Sequence, residues 1–398
     1  MPSNGWSRAA GLDEDPPRRV PEDGSGPVAA IDCGTNSTRL LVVDPAGEVL
    51  ERLMRITRLG QGVDSSGRLA PDAVARTLAV LREYGERMRS LGVRRGRLVA
   101  TSAVRDATNA GELLAAAEDA TGLLPEVLDG VEEGRLSFAG ATAHLPALTP
   151  RGNADAAAPG QGAGQGTGHA ASQGAGYGAG HGAGYGAGRA DGPTVELVVD
   201  IGGGSTELVA GVPAGSTKPG GVDGWEEPRV VSMDVGCVRL TERCFHHDPP
   251  LAGELDDAVR VVGAALAPAV EKICSPASCA PGAGLPVSGT HGGLSRLIGL
   301  AGTVSTLACL ARGIERYDRA KVHHAVLSID EVREWLSRLS SESSARRLRH
   351  PGMVPGREDV IVGGLVVLVS VMEAFGRGEC LVSEDDILDG LVASVLAS

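Results

Sequence analysis

The chain is short of lysine, of cysteine pairs and of long apolar runs, and each shortage closes off a class of function. Only Lys218, Lys272 and Lys321 among its 37 basic residues are lysines, and 50 acidic residues set the formal net charge at −13. General affinity for nucleic acid or an anionic membrane needs an excess of cations, so neither partner is expected, although a local basic cleft stays open. The arginine bias goes with 58 glycines, roughly twice the usual share, and both read as nucleotide-level composition bias. The seven cysteines are odd in number and lack CxxC spacing. Cys33, inside an apolar run, reads as a buried thiol, and a reducing, cytoplasmic location is expected. Residues 360–372 form the most apolar stretch, 13 uncharged positions between Asp359 and Glu373, against about 20 needed to span a bilayer. A buried helix is predicted there. Residues 1–26 carry Asp13, Glu14 and Asp15 and no apolar signal core, so secretion is not expected.

What is present is a repeated pattern. Residues 28–32 and 39–43 are apolar runs around the small-residue turn Cys33-Gly34-Thr35-Asn36-Ser37, which predicts a β-hairpin, with a further strand at 49–56. Val74, Leu78, Leu81, Met88 and Leu91 recur at helical spacing between Pro71, placed to open a helix, and Gly92, placed to close it. A strand at 98–101, a helix at 111–121 and a strand at 125–128 continue an order that implies a sheet flanked by helices. Residues 151–190 are low in complexity and end in Gly-Ala-Gly-Tyr and Gly-Ala-Gly-His steps. They offer almost nothing to bury, so disorder is expected, and a loop spacer is preferred over metal binding by His169 and His181. The opening pattern then returns: strand 195–200, turn Ile201-Gly202-Gly203-Gly204-Ser205-Thr206, strand 207–212. Two copies suggest a duplicated architecture with a cleft between its halves: a tail at 1–26, a first domain at 27–150, an insertion at 151–193 and a second domain at 194–398. A strand at 230–234, helices near 238–245 and 254–274, a loop at 275–293, a strand, turn and helix at 297–310, and a mostly helical end complete the reading.

Both turns place an acid at the end of a buried strand, then glycines, then hydroxyls. Glycine lets backbone N–H groups close around an anion, and Ser and Thr hydroxyls add donors. The aspartates, Asp32 and Asp200, repel phosphate unless they hold a cation, and Mg²⁺ with retained water is the expected one. Either hairpin alone could be a plain turn; the pair points to a phosphate cleft.

Further segments carry a resemblance. They are Ala100-Thr101-Ser102-Ala103-Val104-Arg105-Asp106-Ala107-Thr108-Asn109, Gly130-Val131-Glu132-Glu133-Gly134-Arg135-Leu136, Gly236-Cys237-Val238-Arg239-Leu240-Thr241-Glu242, Ala301-Gly302-Thr303-Val304-Ser305-Thr306 and Pro355-Gly356-Arg357-Glu358-Asp359-Val360-Ile361. With the two hairpins, they make the chain, from about residue 28 to its end, resemble the exopolyphosphatase and guanosine pentaphosphatase (Ppx/GppA) family. That resemblance implies an α/β fold of two ribonuclease H-like domains, as in the actin and sugar kinase superfamily, around a phosphate cleft. It gives Glu133 as the base that activates water and Glu207 as a group positioning that water or the metal. Asp200 and Asp32 would serve Mg²⁺. Gly34, Thr35, Asn36 and Ser37 would line one phosphate loop, Gly203, Gly204, Ser205 and Thr206 the other, and Arg105 would grip a phosphate with its planar fork. Read without the resemblance, Glu132 and Glu133 are acids of a solvated helix start, and Arg105 with Asp106 is a surface ion pair.

The implied activity is release of terminal orthophosphate from inorganic polyphosphate by Mg²⁺-assisted attack of water. Guanosine pentaphosphate (pppGpp) is the alternative substrate. A kinase of the same superfamily would need another phosphoryl acceptor, and a silent polyphosphate or alarmone sensor would not need the water-activating carboxylate. A homodimer is left open. Departures from the family pattern are Gly134, where alanine is usual, and the loosely matching Ser383-Glu384-Asp385-Asp386-Ile387-Leu388-Asp389-Gly390. The absence of the long members' extra helical domain implies the short subfamily, with a preference for short chains or a small nucleotide. Cys237, Cys244, His246 and His247 fit no zinc spacing. His323 and His324 read as a turn or a substrate-edge feature. Arg346, Arg347, Arg349, His350 and Arg357 form a basic cluster, either a solvated helix face or a guide for a polyanion. The central spatial expectation is that the two glycine loops meet face to face, with Asp200, Glu133 and Glu207 gathered around the gap.

Overall fold

The computed structural model describes residues 26–146, 194–214, 225, 227–274 and 294–398. The expectations for the N-terminal tail up to residue 25, for the 151–190 tract and for the 275–293 loop lie outside the described residues.

The first half runs β1 (Val28–Cys33), β2 (Ser37–Val43), β3 (Val49–Ile56), α1 (Val63–Ser66), α2 (Pro71–Ser90), β4 (Arg95–Ala100), α3 (Ser102–Arg105), α4 (Ala110–Thr121), β5 (Pro125–Val127) and α5 (Gly130–Thr142). The second runs β6 (Val195–Ile201), β7 (Thr206–Gly211), β8 (Arg229–Met233), α6 (Cys237–Cys244), α7 (Ala252–Cys274), β9 (Leu294–Leu300) and α8 (Ala301–Arg312). After these come α9 (Arg319–Val322), β10 (Val326–Ser328), α10 (Ile329–Ser340), α11 (Ser344–Arg347), α12 (Ile361–Ala374), β11 (Glu379–Val382) and α13 (Ile387–Leu396). The first sheet has the order β3-β2-β1-β4-β5. The second repeats it as β8-β7-β6-β9-β11 with β10 added at the edge, so the chain carries two ribonuclease H-like sheets. In each, an antiparallel hairpin is extended by a parallel strand on its other side.

The burial of β1 and β6 explains their composition. Val-Ala-Ala-Ile and Leu-Val-Val are continuous apolar runs because both sheet faces are covered. Leu81, Tyr84 and Met88 of α2 pack with Ile31, Leu40 and Leu98 on one face of the first sheet. The apolar 360–372 run becomes α12, buried in the largest core cluster with Leu307 of α8 and Leu266 of α7. Among the described residues, no helix is long and apolar enough to cross a membrane.

Two helices are exchanged between the halves. Phe138 and Ala141 of α5, a first-half helix, pack on Val198, Val209 and Ile298 of the second sheet. Leu388, Leu391 and Val395 of α13, the last helix, pack on Val28, Ala30, Leu41 and Val99 of the first sheet. The division between 27–150 and 194–398 therefore separates the sheets, while α13 lies on the sheet of the other segment. The two helices cross at glycines. A Cβ on Gly140 would stand 1.9 Å from the Asp386 carbonyl oxygen, and one on Gly390 would stand 2.1 Å from that of Leu136. Any side chain there would push the helices apart.

Candidate active site

The turns after β1 and β6 are in contact. A Cβ on Gly203 would lie 2.8 Å from Thr35 Cβ and 3.2 Å from the Asn36 backbone nitrogen, and one on Gly204 would lie 2.4 Å from Ser102 Oγ. Thr35 Oγ1 and Ser102 Oγ share a hydrogen bond of 2.8 Å, which ties the first loop to the start of α3. The second loop is held from behind by α6: the Cys237 and Val238 N–H groups donate to the carbonyls of Gly202 and Gly203, each at 2.9 Å. Asn36 Nδ2 is buried without a partner. Thr206, expected to line the second loop, is wholly buried, and its hydroxyl donates to the Val235 carbonyl instead.

Four carboxylates gather beside these loops. Asp32 Oδ2 accepts from Arg39 Nε at 3.0 Å and Nη2 at 2.7 Å, while its Oδ1 is buried and unpartnered. Arg39 also pairs with Asp386, the N-cap of α13. Ser137 Oγ donates to Asp200 Oδ2 at 2.7 Å. Ser232 Oγ donates to Glu207 Oε1 at 2.8 Å, and Glu207 Oε2 is buried without a partner. Glu133 sits in the first turn of α5 behind the N-cap Asp129, which accepts from Val131 and Glu132 N–H groups. Glu132 is half-buried, whereas Glu133 is 9% exposed and faces inward, 3.5 Å from Arg105 Nη1. Arg105 also donates to the Leu128 carbonyl at 2.9 Å. The solvated-helix-start reading therefore fits Glu132 better than Glu133. Asp106 pairs not with Arg105 but with Arg239 of α6.

Crowding buried acids raises their pKa values. Burial pushes the Asp200 carboxyl up to about 6, against the opposing Ser137 hydrogen bond. Burial and then the Asp200 charge push Glu207 up to about 8, opposed by hydrogen bonds from Ser232 and Ser205. Glu133 is raised well above the usual range by burial and by Glu207, Asp200 and Asp32, with Arg105 opposing. Asp32 is raised by burial despite Arg39. Such a cluster favours a bound cation.

Sequence reasoning missed several members. Ser137 lies four residues after Glu133 on the same helical face, a spacing readable once Glu133 is chosen. Arg39 occupies a register position opposite Asp32. Arg357 separates from the basic cluster in which it was read. Arg347 is buried against the Leu339 and Glu358 carbonyls, and Arg346 pairs with Glu342. Arg357 instead lies against Gly302 at the start of α8, where a Cβ would stand 1.3 Å from its Nη1. Burial and the nearby Arg39 charge lower its pKa.

Comparison with known proteins agrees with this geometry. The model of the Ppx/GppA phosphatase family matches residues 42–156 and 186–398. The chain is 37% identical over 388 residues to "Exopolyphosphatase 2" of Mycobacterium tuberculosis (strain CDC 1551 / Oshkosh), covering 92% of this chain and 98% of that one. The crystal structure of an exopolyphosphatase-like protein superposes with a TM-score of 0.71 at 32% identity, covering 92% of this chain and 98% of the other. The Aquifex aeolicus member of the Ppx/GppA family gives a TM-score of 0.63 at 27% identity, over 94% and 98%. The chain belongs to the Ppx/GppA phosphatase family.

Proposed function

We infer that this family member is an exopolyphosphatase, a phosphoanhydride hydrolase that releases terminal orthophosphate from inorganic polyphosphate, with pppGpp as the competing substrate. The observation that carries the reading is the position of Glu133: a carboxylate on a helix of the first half, packed into the second, beside Arg105 and within the field of Glu207, Asp200 and Asp32. Hydrolysis of a phosphoanhydride needs a cradle for the phosphates, a proton acceptor for in-line water and neutralisation of charge.

In this reading Glu133 accepts the proton of the attacking water. Glu207, fixed by Ser232, orients the same water. Backbone N–H groups of Thr35, Asn36 and Ser37, with those of Gly203, Gly204 and Ser205, bind phosphate oxygens, while the Gly34 N–H closes the turn onto the Ser37 carbonyl at 3.0 Å and Asn36 Nδ2 is a donor still without a partner. Arg105 and Arg357 add positive charge. The residues also fit Mg²⁺. Asp32 keeps an unpartnered buried oxygen and Asp200 an unbonded one, while no group of three or more His, Cys, Asp or Glu among the described residues is disposed to hold a metal unaided. That suits an ion retaining most of its water. When bound, Mg²⁺ offsets the charge of the phosphate oxygens. Six free cysteines among the described residues support a reducing, cytoplasmic location.

The test is phosphate release with Mg²⁺ from short polyphosphate, long polyphosphate and pppGpp. Short polyphosphate is expected to turn over fastest. Release from pppGpp alone reassigns the substrate, and release from none of the three removes the hydrolase reading.

A further inference from the structure

The seam between the halves on the far side of the glycine loops is closed by charge. Gly236 precedes α6 so closely behind the second loop that a Cβ would stand 2.5 Å from the Gly203 carbonyl carbon, so α6 and that loop move as one piece. From α6, Arg239 reaches the first half. Its Nε lies 3.2 Å from Asp64 Oδ1, its Nη2 bonds Asp106, and its Nη1 is 3.4 Å from Asp234 Oδ1 of its own half. Arg243 forks onto Asp64 with two bonds of 2.6 Å, and Glu242 accepts from the Gly62 N–H at 3.0 Å. Asp106 directly follows α3, which carries Ser102 and Arg105. One guanidinium, 8% exposed, thus joins the helix that backs Gly203 to the segment that holds Arg105.

This junction has a consequence for turnover. With Gly203 against Thr35 and Gly204 against Ser102, a phosphate cannot pass between the loops as they stand. Passage along that route requires the loops to part, and the phosphate cradle they form together requires them to close again. We propose that Arg239 is a positioning residue, an ion-pair latch to Asp64 and Asp106 that sets the closed state of the cleft and must release and re-form in each turnover. Breaking one partner of a buried pair leaves the others uncompensated, so loss of Arg239 shifts the balance towards the open form. The proposal rests on the cleft being the site of hydrolysis, and its test separates the two ideas.

The test uses full-length Arg239→Ala and Arg239→Lys. X-ray scattering of the substrate-free protein should give a larger radius of gyration for the alanine variant, with lysine intermediate because a point charge cannot serve three carboxylates at once. On polyphosphate, kcat should fall about tenfold or more while KM falls as well, since an open cleft admits substrate without releasing a latch. An unchanged radius, or a raised KM at unchanged kcat, overturns the proposal, the second because it marks a lost substrate contact. Expansion with unaltered turnover leaves the ion pairs as what holds the halves closed but overturns their release in each turnover, and it removes the cleft as the reaction site. Asp106→Asn, which leaves Arg239 two other partners, covers the case in which the alanine variant fails to fold. It should shift both readouts in the same direction by less, and no shift in either overturns the proposal.

Discussion

Glu207 stands directly across the β6–β7 ladder from Asp200, at the position that Arg39 holds opposite Asp32 in the β1–β2 ladder. The two repeats share a backbone and invert its charge. In the first copy a cation answers the aspartate; in the second a carboxylate faces it, and like charges directly opposite are unfavourable. The second copy thereby creates the demand for a cation that the proposed chemistry uses.

That opposition has a pH signature. Glu207 is raised from 4.5 to about 8, so the folded protein keeps a proton there that the unfolded chain has released. Stability of the metal-free protein must then fall as pH rises between those two values, by up to about 1.4 kcal/mol per pH unit. Denaturant unfolding across this window should show the decline, and Glu207→Gln should flatten it. An identical slope in the variant contradicts the placement of Glu207.

Ser137 fixes one oxygen of Asp200, leaving the other for the proposed Mg²⁺. Ser137→Ala should raise the Mg²⁺ concentration for half-maximal activity about tenfold, the worth of one charge-assisted hydrogen bond. Asp200→Asn should raise it further. Calorimetric Mg²⁺ titration checks this independently of turnover, and a Ser137→Ala isotherm that overlays wild type counts against the role.

Arg105 lowers the pKa of Glu133 against burial and three like charges. Arg105→Gln should therefore move the rising acid limb of the kcat/KM profile to higher pH, because the base now loses its proton later. An unmoved limb at reduced kcat/KM would assign Arg105 to phosphate binding alone.

The crossing of α5 and α13 leaves no room at Gly390, whose added Cβ would meet a backbone carbonyl. Gly390→Ala should lower the unfolding free energy by about 3 kcal/mol, the upper range for overpacking. Thermal and denaturant melts check it, and a loss within error of zero means the helices can slide apart freely.

The hairpins, α2 and the buried run of α12 were legible because their signals are local: a glycine turn between apolar strands, helical spacing, continuous hydrophobicity. The exchange of α5 and α13 was not, since helix propensity says nothing about which sheet a helix covers. Charge partners were hidden for the same reason. Arg39 finds Asp386 at the opposite end of the chain, and Asp106 ignores adjacent Arg105 for Arg239. The short strands β10 and β11 were absorbed into a helical reading, as three- and four-residue strands carry too little alternation to register.

The central claim is that Glu133 accepts a proton from water at the junction of the two loops. Single-turnover phosphate release from polyphosphate by Glu133→Gln, alongside its unfolding curve, tests this most directly. A variant at least as stable as wild type is expected, because a buried acid whose ionisation its surroundings oppose has become a neutral amide, with release slowed about 10²-fold or more. Release at near wild-type rate from a folded Glu133→Gln protein would contradict it.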